Sequence, residues 1–135
     1  MIISQIIRIF LDKKELFLWG NINKILKETS KNNKRKFLYE NPEKIILNPR
    51  DKLVSKIACT SNICLILTST GCIYIMGIDK KESGLFGFGK ELQQAKKPIL
   101  LEYFCRNNIF ITDIAISDNV AIGISGIFFR FCSFK

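Results

Sequence analysis

One stretch of this chain occurs more than once, and the spacing between its copies is constant. Ile57 and Ala58 return as Ile114 and Ala115, and Trp19 and Gly20 return as Met76 and Gly77, in both cases 57 positions on. Two independent landmarks therefore agree on one period. A period of this size marks a solenoid or propeller, in which a single unit cannot bury its own faces and neighbours must stack. The central copy reads IACTSNICLILTSTGCIYIMG from Ile57 to Gly77. Its two apolar runs are rich in residues that favour pleated strands, and Ser69, Thr70 and Gly71 between them supply turn chemistry, so a β-hairpin is predicted. The later copy, IAISDNVAIGISGIFFRF, has Val120 57 residues after Ile63, with Gly126 in the place of Gly71 after a turn two residues shorter. The earlier copy spans residues 6–19 and turns at residues 12–15.

In chain order, residues 2–11 and 16–19 read as strands, followed by a polar excursion. Asn41, Pro42, Asn48 and Pro49 bracket a short strand at residues 44–47, because proline removes a ladder donor and asparagine favours turns. Residues 53–59 and 63–68 form the next strands around a turn at Thr60, Ser61 and Asn62. The run ICLIL is apolar at every position, so that strand is expected to be covered on both faces. After the strand at residues 73–76 comes a loop with Gly77, Gly84, Gly87 and Gly89, where glycine permits close backbone approach. Pro98 is expected to open a further strand, PILLEYF, and residues 109–116 and 120–131 to form the last hairpin.

Composition narrows the chemistry. There is no histidine, which excludes Cys/His zinc sites and every histidine-based general base or triad. No metal site and no cofactor are expected. Five cysteines, Cys59, Cys64, Cys72, Cys105 and Cys132, are odd in number, lie mostly in apolar runs and form no CxxC pair. They read as buried, unpaired thiols of a reducing compartment. The net charge is +9, and it is uneven: residues 1–60 carry 13 basic and 6 acidic side chains, and residues 61–135 carry 8 and 6. A basic loop at residues 27–36 concentrates Lys31, Lys34, Arg35 and Lys36. No run approaches the roughly 18–20 apolar residues of a membrane span, so no membrane partner is expected. The apolar start MIISQIIRIFL is interrupted by Ser4, Gln5 and Arg8 and reads as a strand in repeat register.

The ordered set Trp19-Gly20, Ile57-Ala58-Cys59, Met76-Gly77, GLFGFG at residues 84–89, Pro98 and Ile114-Ala115-Ile116 resembles the regulator-of-chromosome-condensation repeat. That repeat has a strand ending in WG, a glycine-rich loop, a proline, and an I-A-C/A-G hairpin. The family's usual glycine and histidine after IAC are replaced by Thr60 and Ile63, and by Ser117 and Val120 in the later copy. The resemblance implies an all-β, partial β-propeller of about two and a half 57-residue repeats over residues 1–135, with landmarks at 6–20, 57–89 and 114–131. Trp19, Gly20, Gly71, Met76, Gly77, Gly84, Gly87 and Gly89 are its repeat-structural residues. A full propeller of this family has seven blades, so the chain corresponds to a fragment, a truncated paralogue or a degenerate partial propeller.

The family's founding member is a nuclear exchange factor for a Ran-type small GTPase that also binds nucleosomes. Resemblance therefore implies a protein partner, and the reading taken is a non-catalytic interaction module, with nucleotide exchange on a small GTPase, or chromatin and nucleic-acid binding through Lys31, Lys34, Arg35 and Lys36, as alternatives. A fold alone does not choose among them. Clustered cations suffice for non-specific phosphate binding, but the segment lacks aromatic residues to stack on bases and reads first as a solvated loop. GLFGFG lacks the GK[ST] and following helix of a phosphate loop and reads as a turn. Cys59, Cys64 and Cys72 read as core packing rather than a redox cluster. Asp113 and Asp118 flank a hairpin turn and read as turn and edge residues, so no catalytic residue is assigned. An intracellular, cytoplasmic or nuclear location is expected.

Overall fold

The computed structural model describes residues 2–3, 7–12, 15–21, 38–50, 53–79, 84, 86–87, 92, 94–126 and 131–134. Among them are eleven strands and one short helix. The first sheet is an antiparallel meander of β1 (Ile2–Ile3), β2 (Ile7–Asp12), β3 (Glu15–Asn21) and β4 (Leu38–Ile45). The second repeats it with β5 (Val54–Cys59), β6 (Ile63–Thr68), β7 (Ile73–Ile78) and β8 (Gln94–Leu100). After α1 (Glu102–Arg106), the third sheet brings together β9 (Ile111–Ile116), β10 (Ala121–Ser125) and β11 (Phe131–Phe134). The period is visible in the backbone, because β9 begins and ends 57 residues after β5. Four-stranded antiparallel units stacked in this way are the blades of a propeller, here a partial one.

The three sheets stack face to face, with the second in the middle. β6 is buried along its whole length, as its unbroken apolar run requires. One of its faces presents Ile63, Leu65 and Leu67, which join Ile73 and Ile75 of β7 in a core completed by Ile111, Ile114 and Ala121 of the third sheet. Its other face presents Cys64 and Ile66, which pack with Tyr74 and Met76 against Leu16 of the first sheet. The alternation follows from the two-residue side-chain period of a strand. The third sheet keeps the same order one period later: Gly123 lies against Ile73 and Ile111, while Val120, Ile122 and Ile124 on β10 and its turn are half-buried.

Each complete blade carries the same irregularity on its outer strand. Leu18 pairs with Glu43 and Gly20 with Tyr39, so Trp19 stands opposite residues 40–42. In the second blade Ile75 pairs with Ile99 and Gly77 with Ala95, so Met76 stands opposite residues 96–98. Pro42 and Pro98 both fall inside these bulges, on edge strands, where a missing N–H breaks no ladder. This corrects the expected strand boundaries. β4 runs through Pro42 instead of occupying residues 44–47, and β8 runs through Pro98 instead of beginning there. The expected strand PILLEYF also ends early, because Glu102–Arg106 is helical and inserts Phe104, 3% exposed, into the core. Residues 2–11 divide into β1 and β2, which pair antiparallel, and the described part of the last strand is β11; residues 127–130 of the expected hairpin lie outside the described residues.

Gly77, expected in the loop after residues 73–76, lies within β7, and its geometry explains why glycine stands there. Its φ is +118°, and a Cβ there would overlap the carbonyl oxygen of Asn62, which accepts a hydrogen bond from the Ile78 N–H at 2.9 Å. We expect Gly77→Ala to destabilise the chain by about 2–3 kcal/mol, combining backbone strain with displacement of the Asn62 turn. Leu65→Ala, in the buried centre, should cost about 2–5 kcal/mol, whereas Ile46→Ala, at a residue 82% exposed, should change little. Equilibrium denaturation of the three variants checks the order, and a large loss at Ile46 would contradict it.

Candidate functional site

Three features of the surface and loops bear on function. The first is the glycine loop after β7. Asp79 is buried, 5% exposed, and one of its carboxylate oxygens accepts the Gly84 N–H at 2.8 Å. The Gly87 N–H donates to the Gly84 carbonyl at 2.9 Å, which closes the turn and directs Phe86 into the core between the second and third sheets. An anion cradle needs its N–H groups turned toward a ligand, yet the Gly84 N–H already donates to the Asp79 carboxylate and the Gly87 N–H to the Gly84 carbonyl, so these two donors are used internally. Phe86 escaped sequence reasoning, although an aromatic residue between two glycines signals a loop that packs on itself.

The second feature is a groove of about 340 Å³ between the outer strands of the first two blades, lined by residues 43–46 and 96–98. It combines Lys44, Lys96 and Lys97 with the apolar Ile45, Ile46 and Pro98. Lys44 is paired with Glu15 at 2.6 Å, across β3 and β4. Lysines on outer strands also discourage edge-to-edge pairing, a purely structural role.

The third feature lies between β5 and β9. Lys56 and Asp113, which are 57 residues apart, occupy the same place in successive blades and form an ion pair. Asp113 was expected beside a hairpin turn, but it lies within β9, because the turn begins only after Ile116. Its side chain is about half exposed, and its carboxyl is held below the ordinary carboxylate range, first by the hydrogen bond from Lys56 and then by the Ile114 N–H.

The cysteines require a second correction. Cys59 and Cys64 are the first paired residues of the β5–β6 hairpin, with Cα atoms 4.1 Å apart, and are disulfide-bonded rather than unpaired thiols. The turn at Thr60, Ser61 and Asn62 brings them into register, so the spacing of five across a predicted turn was the available signal. Of the repeat-structural residues, Trp19 and Met76 occupy corresponding places in β3 and β7, each beside its glycine, Gly20 or Gly77. Gly71 sits in the β6–β7 turn, where its carbonyl accepts the Ile111 N–H at 3.1 Å and links the second blade to the third. Gly89 and the cationic candidates Lys31, Lys34, Arg35 and Lys36 lie outside the described residues. Among the described residues, no helix is long and apolar enough to cross a membrane.

Solved structures place this arrangement. Human WBSCR16 aligns with a TM-score of 0.68 and 17% identity over 92% of this chain. Prp20p from Saccharomyces cerevisiae aligns at 0.59 and 16% over 88%, and the yeast RCC1 (Prp20) bound to Kap60 at 0.62 and 15% over 88%. The fold is that of RCC1-like repeats. The chain spans less than a third of each of these proteins, 29%, 29% and 28% of their lengths. No family model and no curated protein sequence matches it.

The Lys56–Asp113 pair gives a pH signature. A carboxylate whose folded pKa is depressed adds stability that is fully present above the ordinary carboxylate range and is lost as pH falls through the folded value. Lys56→Met should therefore move the Asp113 titration upward, toward the ordinary range, in a carbon-13 NMR experiment. An unchanged midpoint would remove Lys56 as the cause.

Proposed function

We propose that this chain is a non-catalytic, propeller-type protein-interaction module. The observation that carries the reading is the stack of in-register RCC1-like blades, aligned with solved propellers over 88–92% of the chain. Of those proteins, Prp20p is described with binding to Gsp1p and histones, and the yeast protein also with Kap60. Rigid blades suit such use because each adds an outer strand and exposed connections to a continuous surface, and function is written in those surfaces rather than in the fold. A Ran-type small GTPase and histones are accordingly the first partners to test. Binding without exchange is the favoured combination, because exchange requires a surface that displaces phosphate and magnesium from the nucleotide site, a more demanding arrangement than docking alone. Isothermal titration with each partner should give saturable binding to at least one. Fluorescent-nucleotide release from the GTPase should rise by less than about tenfold, equivalent to ~1.4 kcal/mol of barrier. No binding to either by the folded chain would overturn the module reading, and a large catalysed release would replace it with an exchange factor.

A second reading, nucleic-acid binding, rests on the sequence cluster Lys31, Lys34, Arg35 and Lys36. Such binding would weaken with salt, with a log-log slope of about −0.9 per duplex phosphate contacted. The favoured outcome is a shallow, non-saturable interaction that changes little when all four are replaced by alanine. A steep salt dependence that vanishes in the quadruple variant, with the circular dichroism spectrum intact, would move chromatin binding to first place.

A further inference from the structure

Cys72 and Cys105 are separated by 33 residues, yet their sulfur atoms are 2.8 Å apart. Both ends of this contact are fixed by independent hydrogen bonds. The Cys72 N–H donates to the Thr68 hydroxyl oxygen at 3.2 Å, and the Cys72 carbonyl accepts from the Thr68 N–H at 2.9 Å and from its hydroxyl at 3.2 Å. Cys105 lies on α1, in the connection from the second blade to the third. The Leu101 N–H ahead of that helix donates to the Ile73 carbonyl at 2.9 Å, the Ile109 N–H behind it donates to the Phe104 carbonyl at 2.8 Å, and Phe104 is packed in the core. A disulfide has a sulfur–sulfur distance of about 2.05 Å, so bond formation asks the two sulfurs to close by less than about 1 Å. Both cysteines are half-buried and so open to a small reagent.

We propose that Cys72 and Cys105 form a redox modification site, a reversible latch between the β6–β7 turn and the inter-blade helix, set by a low-molecular-weight disulfide of the glutathione class. One protein thiolate attacks a sulfur of the small disulfide, breaking its S–S bond and releasing one small thiol. The second protein thiolate then attacks the protein-bound sulfur of the mixed disulfide, forming the Cys72–Cys105 bond and releasing the second small thiol. The protein is oxidised by two electrons and gives up two protons, and the small disulfide is reduced to two thiols. This bond differs in kind from Cys59–Cys64, which staples two neighbouring strands of one hairpin. The latch encloses β7, the glycine loop and β8, and fastens the segment that carries the chain into the third blade.

The test equilibrates the full chain across graded ratios of reduced to oxidised glutathione, traps remaining thiols with N-ethylmaleimide and maps the peptides by mass spectrometry. The expected result is a Cys72–Cys105 cross-linked peptide that appears as the ratio becomes oxidising and disappears on return to reducing buffer. Cys72→Ser and Cys105→Ser should each abolish it, whereas Cys59→Ser should leave it in place. Amide exchange across residues 102–106 should slow in the oxidised form. Should either variant fail to fold, the trapping result on the natural chain decides alone. Recovery of both residues as alkylated thiols while Cys59–Cys64 is fully bonded would overturn the proposal, as would stable glutathione adducts on either cysteine or a cross-link from Cys72 to any other partner.

Discussion

The structure depends on the burial of β6 and β7 from both sides at once. Leu65, Ile66, Ile73 and Ile75 are wholly excluded from solvent. Each such side chain contributes about 1.5–3 kcal/mol through removal from water, but a single sheet can supply only one of the two covers. The odd-numbered positions of β6 need the third blade and the even-numbered positions need the first. Stability is therefore a property of neighbouring pairs, as expected for a repeat whose units cannot stand alone. Ile111 and Ile114 on one side and Leu16 on the other act as parts of the second blade's core as much as of their own.

A second layer of order comes from the backbone. Gly77 within β7 brings that strand against the Asn62 carbonyl, and the bulge opposite Met76 then turns the outer strand without breaking its pairing. The same bulge lies opposite Trp19 in the first blade. An outer strand with two additional residues bends and twists more than its partner, which helps flat meanders become curved, stackable blades. The prolines accept these positions because the ladder there asks nothing of their nitrogen.

The sequence made the repeat, the hairpin turns and the two-faced burial of β6 legible, because periodicity and the unbroken run ICLIL are properties of residue order alone. It was less informative where tertiary context changes a local rule. Pro42 and Pro98 carry a strong local signal for a boundary, and it misled because a bulge on an edge strand tolerates proline in mid-strand. Glu102–Arg106 has too few residues for helical periodicity to register and depends on Phe104 reaching the core. The Cys59–Cys64 partnership followed from a turn already located, but oddness of the total count argued the other way. The basic cluster at Lys31, Lys34, Arg35 and Lys36 lies outside the described residues.

The ion pair between Lys56 and Asp113 limits how closely neighbouring copies can agree in sequence. The two residues hold corresponding places in adjacent blades, so perfect copies would set lysine beside lysine or aspartate beside aspartate, with like charges facing one another. Attraction at this seam is available only to copies that differ. Between stacked blades, the same position in neighbouring copies gains from opposite charge, and so from residues that differ. The period persists in the backbone, where β9 follows β5 at 57 residues, while only a few dipeptides recur at that spacing.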